Sequence, residues 1–300
     1  MITRWRERIT DAATGLFRHA PDPLADTLDH PGDPGLFGPG SVTWRLMSDP
    51  AAFVGGIRAL LVQAAHPEVA AGVGDHSVYR EDPLGRLSRT AAYVSATTYG
   101  SLPEVDQALT VVRNAHRPVS GTSHRGTAYD AGDPGMGAWV HNALVDSFLT
   151  ARRTYGPTPV SDADADAYVA EQVRLGERLG VSPLPDTAAE LSAWVAEHPA
   201  VAPSPAADEA IAFLAGSGLP PATRLAYRRL FAAAVVTIPA RLQLAIGVAP
   251  RPGAVVLGRA TTGLLRSAMG SSPAWAAALE RCGEPRPPGL RFRNAPGTTR

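Results

Sequence analysis

Apolar residues in this chain recur at helical rather than strand spacing almost throughout, and few segments alternate with period two. From Trp44 to Ala65, the positions Ala51, Val54, Ile57, Leu60, Leu61 and Ala64 form one apolar stripe. The dipeptide His66-Pro67 breaks that helix, because a residue before proline avoids the α region. A helix resumes over Glu68–Val73, and a glycine-rich turn at Gly72–Ser77 ends it. Between Pro103 and Arg117, Val105, Leu109, Val112 and His116 repeat at four, three and four, and Pro118 stops the run. Asp133 and Pro134 suit the cap and first turn of another helix. In that helix Ala138, His141, Val145 and Phe148 share a face. Further helices are expected over Ser161–Gly180, Thr187–His198, Pro205–Gly216, Gly253–Gly270 and Pro273–Arg281, with two core helices in Pro220–Val248 meeting near Pro239.

These elements describe an all-α protein with a single globular helical domain. Residues 1–40 read as an N-terminal amphipathic helix followed by an irregular arm, since 21–40 hold five prolines and four glycines. Residues 41–282 form the helical domain, and 283–300, rich in Pro, Arg and Gly, read as a flexible tail. No internal repeat at a fixed period is evident.

Composition removes several classes. Three hundred residues can bury a substantial core. The formal charge is zero, so overall charge makes no case for nucleic acid or an anionic membrane. All 28 basic residues are arginine, which excludes lysine Schiff bases, a P-loop lysine and a lysine general base. A single cysteine, Cys282, rules out an internal disulfide and any cysteine-clustered zinc or iron–sulfur site. The glycines at 72–74 follow no strand and lack the nucleotide-loop spacing. The acidic run Asp162, Asp164, Asp166 lacks the calcium-loop glycine and twelfth-position glutamate, and it suits a helix N-terminus. Arg6, Glu7, Arg8 and Asp11 interrupt the apolar run that a signal peptide needs, so a cytoplasmic protein is expected. No uninterrupted run is long enough for an integral membrane segment.

What chemistry remains lies between Arg58 and Arg152, where five of the eight histidines fall. On a helix, Arg86, Arg89, Thr90 and Tyr93 sit at i, i+3, i+4 and i+7 and share a stripe. One helix on, His116 ends an apolar stripe, and His141 sits inside another. A histidine in such a stripe is most often a satisfied core residue. A neutral imidazole is also the commonest metal ligand, and two of them after a cationic stripe point to a cofactor site.

Several runs occur here in a specific order. They are Ala59–Ala70 with His66-Pro67, Asp75-His76-Ser77, Asp82-Pro83-Leu84-Gly85-Arg86-Leu87-Ser88-Arg89-Thr90, Val112-Arg113-Asn114-Ala115-His116, Tyr129, Asp133-Pro134 and Trp139-Val140-His141. Over roughly residues 40 to 250 the set resembles the bacterial family that groups the mycophenolate-pathway oxygenase with the rubber oxygenase, latex clearing protein. The resemblance implies a helical fold that encloses a non-covalent haem b between core helices. It makes His116 the iron ligand, with His141 as runner-up. Arg86, Arg89 and Thr90 match the family's distal Arg-x-x-Lys-Thr group, with Arg89 in place of the lysine. A guanidinium stays protonated and cannot ligate iron as a lysine amine can. No residue matches the distal carboxylate base of the rubber-cleaving enzymes. Arg113, one turn before His116, is a candidate haem-propionate partner. Arg58 is either another such partner or a surface arginine with a snorkelling stem. Tyr93 and His141 complete the candidate cofactor contacts.

The expected function is a haem b-dependent oxygenase or oxidoreductase that acts on a hydrophobic small molecule with dioxygen or peroxide. The alternatives are a haem carrier or gas sensor without turnover, and a haem-free helical binding protein.

Overall fold

The computed structural model describes residues 2–216, 219 and 221–288. Fourteen α-helices, a 3-10 turn at Thr27–Asp29 and one two-stranded hairpin make up the regular structure of these residues. In chain order the helices are α1 (Ile2–Gly15), α2 (Val42–Met47), α3 (Ala51–Gln63), α4 (Pro67–His76), α5 (Pro83–Tyr99), α6 (Leu102–His116) and α7 (Pro134–Tyr155). They continue with α8 (Asp162–Leu179), α9 (Ala188–Glu197), α10 (Pro205–Gly216), α11 (Pro221–Val235), α12 (Ala240–Ala245), α13 (Ala254–Met269) and α14 (Pro273–Arg281). Strands β1 (Ser120–Thr122) and β2 (Ala128–Asp130) pair antiparallel between α6 and α7, with Gly121 opposite Tyr129.

The centre of the fold is the crossing of α3 and α7. Gly55 permits the close approach: a Cβ there would lie 2.6 Å from Phe148 Cδ1. Val54, Leu61 and Val62 of α3 meet Trp139, Ala143, Val145, Phe148 and Leu149 of α7 in the main core. Helix α11 covers α3, and α13 packs on α11 and α7. Helices α8 and α9 cover the other side of α7, and α1 lies against α13. A second apolar cluster joins Trp44, Tyr99, Trp275 and Leu279, and a third joins Leu36, Val105, Leu109 and Leu175.

Two boundaries depart from the sequence reading. The stretch Trp44–Ala65 is two helices, because Pro50 has no N–H to continue a helical ladder; Asp49 Oδ1 instead accepts from the Ala51 N–H at 2.8 Å. Helix α4 runs on through Gly72 and Gly74 to His76, with Pro67 in its first turn. The expected cap at Asp133 is formed, and Ser161 and Thr187, at the expected starts of their helices, cap theirs too; each side-chain oxygen accepts the backbone N–H of the third helical residue. The irregular arm is tied to the rest through Glu104, whose carboxylate accepts from Thr27 Oγ1 at 3.0 Å and from Ser101. Most of the tail expected from residue 283 lies outside the described residues. No helix among them is long and apolar enough to cross a membrane.

Candidate functional site

Helices α5 and α6 form a hairpin joined by only Gly100 and Ser101. Asp82 starts α5 by accepting the Gly85 N–H at 2.9 Å, and a Ser101–Glu104 capping box starts α6. Partway along, Tyr93 packs against the cluster that holds Val105 and Leu109. At 1.5 Å per residue, Arg86 lies about 21 Å before the turn and His116 about 24 Å after it. Both residues therefore lie toward the ends of their helices that are remote from the turn.

The stripe Arg86, Arg89, Thr90, Tyr93 splits there. Arg86 and Tyr93 are half-buried, whereas Arg89 and Thr90 are exposed. Arg89 pairs with Asp82 at 3.1 Å, and the Thr90 hydroxyl donates to the Arg86 carbonyl at 3.0 Å. The Arg86 guanidinium lies 6.0 Å from the centroid of buried Tyr79, whose ring meets Phe213 edge-on at 5.0 Å. Burial, and secondarily Arg89, lower the Arg86 pKa, but an arginine remains a cation. No described carboxylate pairs with it. Burial pushes the Tyr93 phenol above its ordinary value, so it stays a neutral hydroxyl.

His116 is exposed, contrary to the core stripe read from its spacing: Val105 and Leu109 are buried, but the stripe surfaces at Val112. Its imidazole makes no hydrogen bond with a described residue. Desolvation by the surrounding chain lowers its pKa, which favours the neutral ring with a free lone pair. Arg113 is also exposed and donates only a long 3.4 Å bond to the Arg178 carbonyl.

His141 has a different setting. It is buried, and its Nε2 lies 3.1 Å from the Gln172 carbonyl of α8. A carbonyl only accepts, so the ring must donate there, which fixes Nε2 as the protonated nitrogen. Burial holds its pKa down at about 4. The crevice beside it, lined by Asn142, Val145, Gln172, Leu184 and Leu191, holds about 10 Å³, room for roughly one water molecule. Gly176 adds to the crowding, since a Cβ there would come within 3.2 Å of His141 Nε2.

Arg58 does not snorkel to the surface. It is 2% exposed, with Nη1 at 2.7 Å from Asp146 Oδ2 and 2.8 Å from Ser147 Oγ. Its Nε and Nη2 reach the Thr237 carbonyl at 3.4 and 3.3 Å. An internal carboxylate thus already occupies this guanidinium.

Sequence reasoning missed a second polar assembly. Glu68, in the first turn of α4, accepts from Ser123 Oγ at 2.8 Å and from Arg125. Its Oε2 lies 3.3 Å from His66 Nδ1, a buried nitrogen without a well-aligned hydrogen bond. The His66 ring belongs to an aromatic group with Trp139, Trp194 and His198, whose ring centroids lie 4.6–6.0 Å apart. Desolvation lowers both imidazole pKa values, that of His198 to about 4. The prolines after both histidines mark them as helix boundaries, and nothing local shows that the rings meet. Among the described residues no three His, Cys, Asp or Glu side chains are grouped to hold a metal ion.

The family described as "ER-bound oxygenase mpaB/B'/Rubber oxygenase, catalytic domain" matches residues 44–267. No curated protein and no solved structure matches the chain. The matched span runs from the buried Trp44 through the α5–α6 hairpin and the α3–α7 core into α13, about three-quarters of the sequence. The chain belongs to the mpaB/rubber oxygenase catalytic-domain family, an oxygenase-type family.

Proposed function

We propose that this protein is a haem b-dependent oxygenase acting on a hydrophobic small molecule, with its site at the open end of the α5–α6 hairpin. The observation that carries this reading is Arg86. It is a half-buried cation without a described counter-charge, and the next helix carries a histidine whose ring nitrogens make no described bond. A haem iron needs one protein nitrogen, and His116 offers one. His141 fits the group less well because Leu184 and Gly176 crowd its ring, and Arg58 because Asp146 already engages it.

In this reading His116 holds the iron and Arg113, one turn earlier, reaches a propionate. Haem b, when bound, supplies the one-electron and dioxygen chemistry. Arg86 is a fixed cation in a poorly solvated place, where it stabilises negative charge developing beside it more strongly than in water. Arg89 adds charge from the rim without ligating the iron. The Thr90 hydroxyl is spent on the helix backbone, so it contributes as an acceptor unless it rotates. Half-buried Tyr93 offers an apolar substrate its ring and a neutral hydroxyl, while buried Tyr79 backs Arg86.

The test is an absorption spectrum of protein expressed with ample haem, followed by a pyridine haemochrome assay. A Soret band and the haem b haemochrome are expected. His116→Ala should lose the haem or its normal spectrum, with partial rescue by added imidazole, while His141→Ala should retain it. Colourless protein that does not titrate with haemin would refute the reading. Haem retention without oxygen or peroxide consumption across apolar substrates would replace it with a carrier or sensor.

A further inference from the structure

The zero net charge conceals a segregated distribution. From residue 210 to residue 279 the chain has seven arginines, at 224, 228, 229, 241, 251, 259 and 266, and no aspartate or glutamate. Helices α11, α12 and α13 all lie in this stretch, and α11 packs directly on α13. Elsewhere, several surface arginines are neutralised in place, Arg45 by Asp164, Arg80 by Glu209, Arg153 by Asp162 and Arg178 by Asp106, whereas exposed Arg113, Arg117 and Arg174 pair with no described carboxylate. Within the stretch, Arg266 turns inward onto Asp49, and Arg241 donates to the carbonyls of Ala196 and His198. Arg224, Arg228, Arg229, Arg251 and Arg259 are exposed, and none pairs with a described carboxylate.

Large apolar side chains share this surface. Leu225 is 60% exposed, Val256 69%, Leu257 47% and Leu264 48%. On α13 the solvent stripe runs Val256, Ala260, Gly263, Ser267, with Leu257 and Leu264 along one side of it. The solvent stripe of α11 is Arg224, Leu225, Arg228, Arg229. Beside α13, helix α1 adds exposed Arg4 and Arg8, and with them Glu7 and Asp11.

We propose that the outward faces of α11 and α13 dock on the headgroup layer of an anionic lipid bilayer. Guanidinium groups near such a surface gain from its negative potential, and leucine and valine between them reach the acyl boundary. Charge complementarity selects this occupant. A second copy of the same face would oppose arginine to arginine. A nucleic acid would satisfy the arginines but leave Val256, Leu257 and Leu264 against phosphate, and these stripes carry no aromatic ring for base stacking. With no described helix able to span a membrane, the contact is one of lying on the bilayer.

The experiment is co-sedimentation of the full chain with vesicles of phosphatidylcholine alone and of equal parts phosphatidylcholine and phosphatidylglycerol. The protein should sediment with the anionic vesicles and be released by salt. Arg228→Gln with Arg229→Gln should weaken partitioning roughly 30-fold. Val256→Asn with Leu264→Asn should weaken it while preserving the salt dependence. All four side chains are exposed, so unchanged circular dichroism and melting are the control for folding. Equal binding to both vesicle types, no binding, or binding insensitive to both double variants would overturn the proposal. So would retention by nucleic acid, or self-association through this face, without vesicle binding.

Discussion

The Arg58–Asp146 pair gives the sharpest prediction about what holds the core together. Asp146→Asn removes the negative charge and little volume, and it leaves a 2%-exposed guanidinium with only the Ser147 hydroxyl, the Thr237 carbonyl and a neutral amide as acceptors. Breaking one side of a buried ion pair costs about 3–5 kcal/mol, because the remaining charge is uncompensated. Against a total stability of roughly 5–15 kcal/mol that is a large share, and a fall in Tm of the order of 10 °C is expected. The pair also joins α3 to α7 and to the turn after α11, so the loss should be global. Replacing both partners, as Arg58→Met with Asp146→Leu, should recover most of the stability, since desolvation of both charges is then avoided. Urea unfolding followed by circular dichroism measures each variant, with the slope checked for constancy. An Asp146→Asn variant within about 1 kcal/mol of the parent would refute the pairing. If Arg58→Met instead emptied the haem and spared stability, Arg58 would be a propionate partner that abandons Asp146.

Other outcomes follow from the same geometry. Arg86→Gln should change stability by less than about 1 kcal/mol, because no described ion pair is lost, yet abolish most turnover; a large loss of stability with unaltered turnover would remove Arg86 from the site. His141 has a folded pKa of about 4 against an ordinary 6.5, so below pH 6.5 the unfolded chain takes up a proton that the folded chain refuses. Stability should therefore fall as the pH drops from about 6.5 to 4, by about 3 kcal/mol from this residue alone. His66 and His198 act in the same direction, and a flat Tm over that range would contradict the burial of all three. Glu68→Gln weakens the bonds from Ser123 and Arg125 and should cost about 1–3 kcal/mol, with the loop carrying β1 and β2 gaining amide exchange first.

The helices were legible wherever the chain marks its own boundaries. Asp133-Pro134, Ser161 and Thr187 announce helix starts because capping is a local bond, made within three residues. Pro50 was missed because the helix whose stripe begins at Ala51 was carried back across it to Trp44, and periodicity does not register a missing N–H. The β1–β2 hairpin left no signal, since its strands are three residues long and mostly exposed, too short for alternation to show. The site was legible only as candidates. Spacing put Arg86, Arg89, Thr90 and Tyr93 on one stripe, but four positions spread across a helix face can be divided by the edge of a neighbouring element, as they are here. Pairs such as Arg58–Asp146 and Trp139–His198 join residues 88 and 59 positions apart, and no local pattern carries them.

The histidines show why residue type and periodicity could not choose a ligand. Binding iron takes a neutral imidazole, a lone pair not already engaged, and space beyond it for the metal's other ligands. Burial alone secures the first condition, and His66, His141 and His198 all meet it. The second and third depend on neighbours far away in sequence. In His141 the Gln172 carbonyl takes the Nε2–H and leaves the lone pair on Nδ1, but Leu184 and Gly176 leave little volume beside the ring. His66 and His198 are enclosed by Trp139 and Trp194 and stand against each other. His116 lies where its stripe outruns the helices that bury Val105 and Leu109, so its ring is left without a described bond. Periodicity registers the stripe but not where the covering helices stop, one turn short of His116, and that mismatch between stripe length and packing is what leaves its imidazole free.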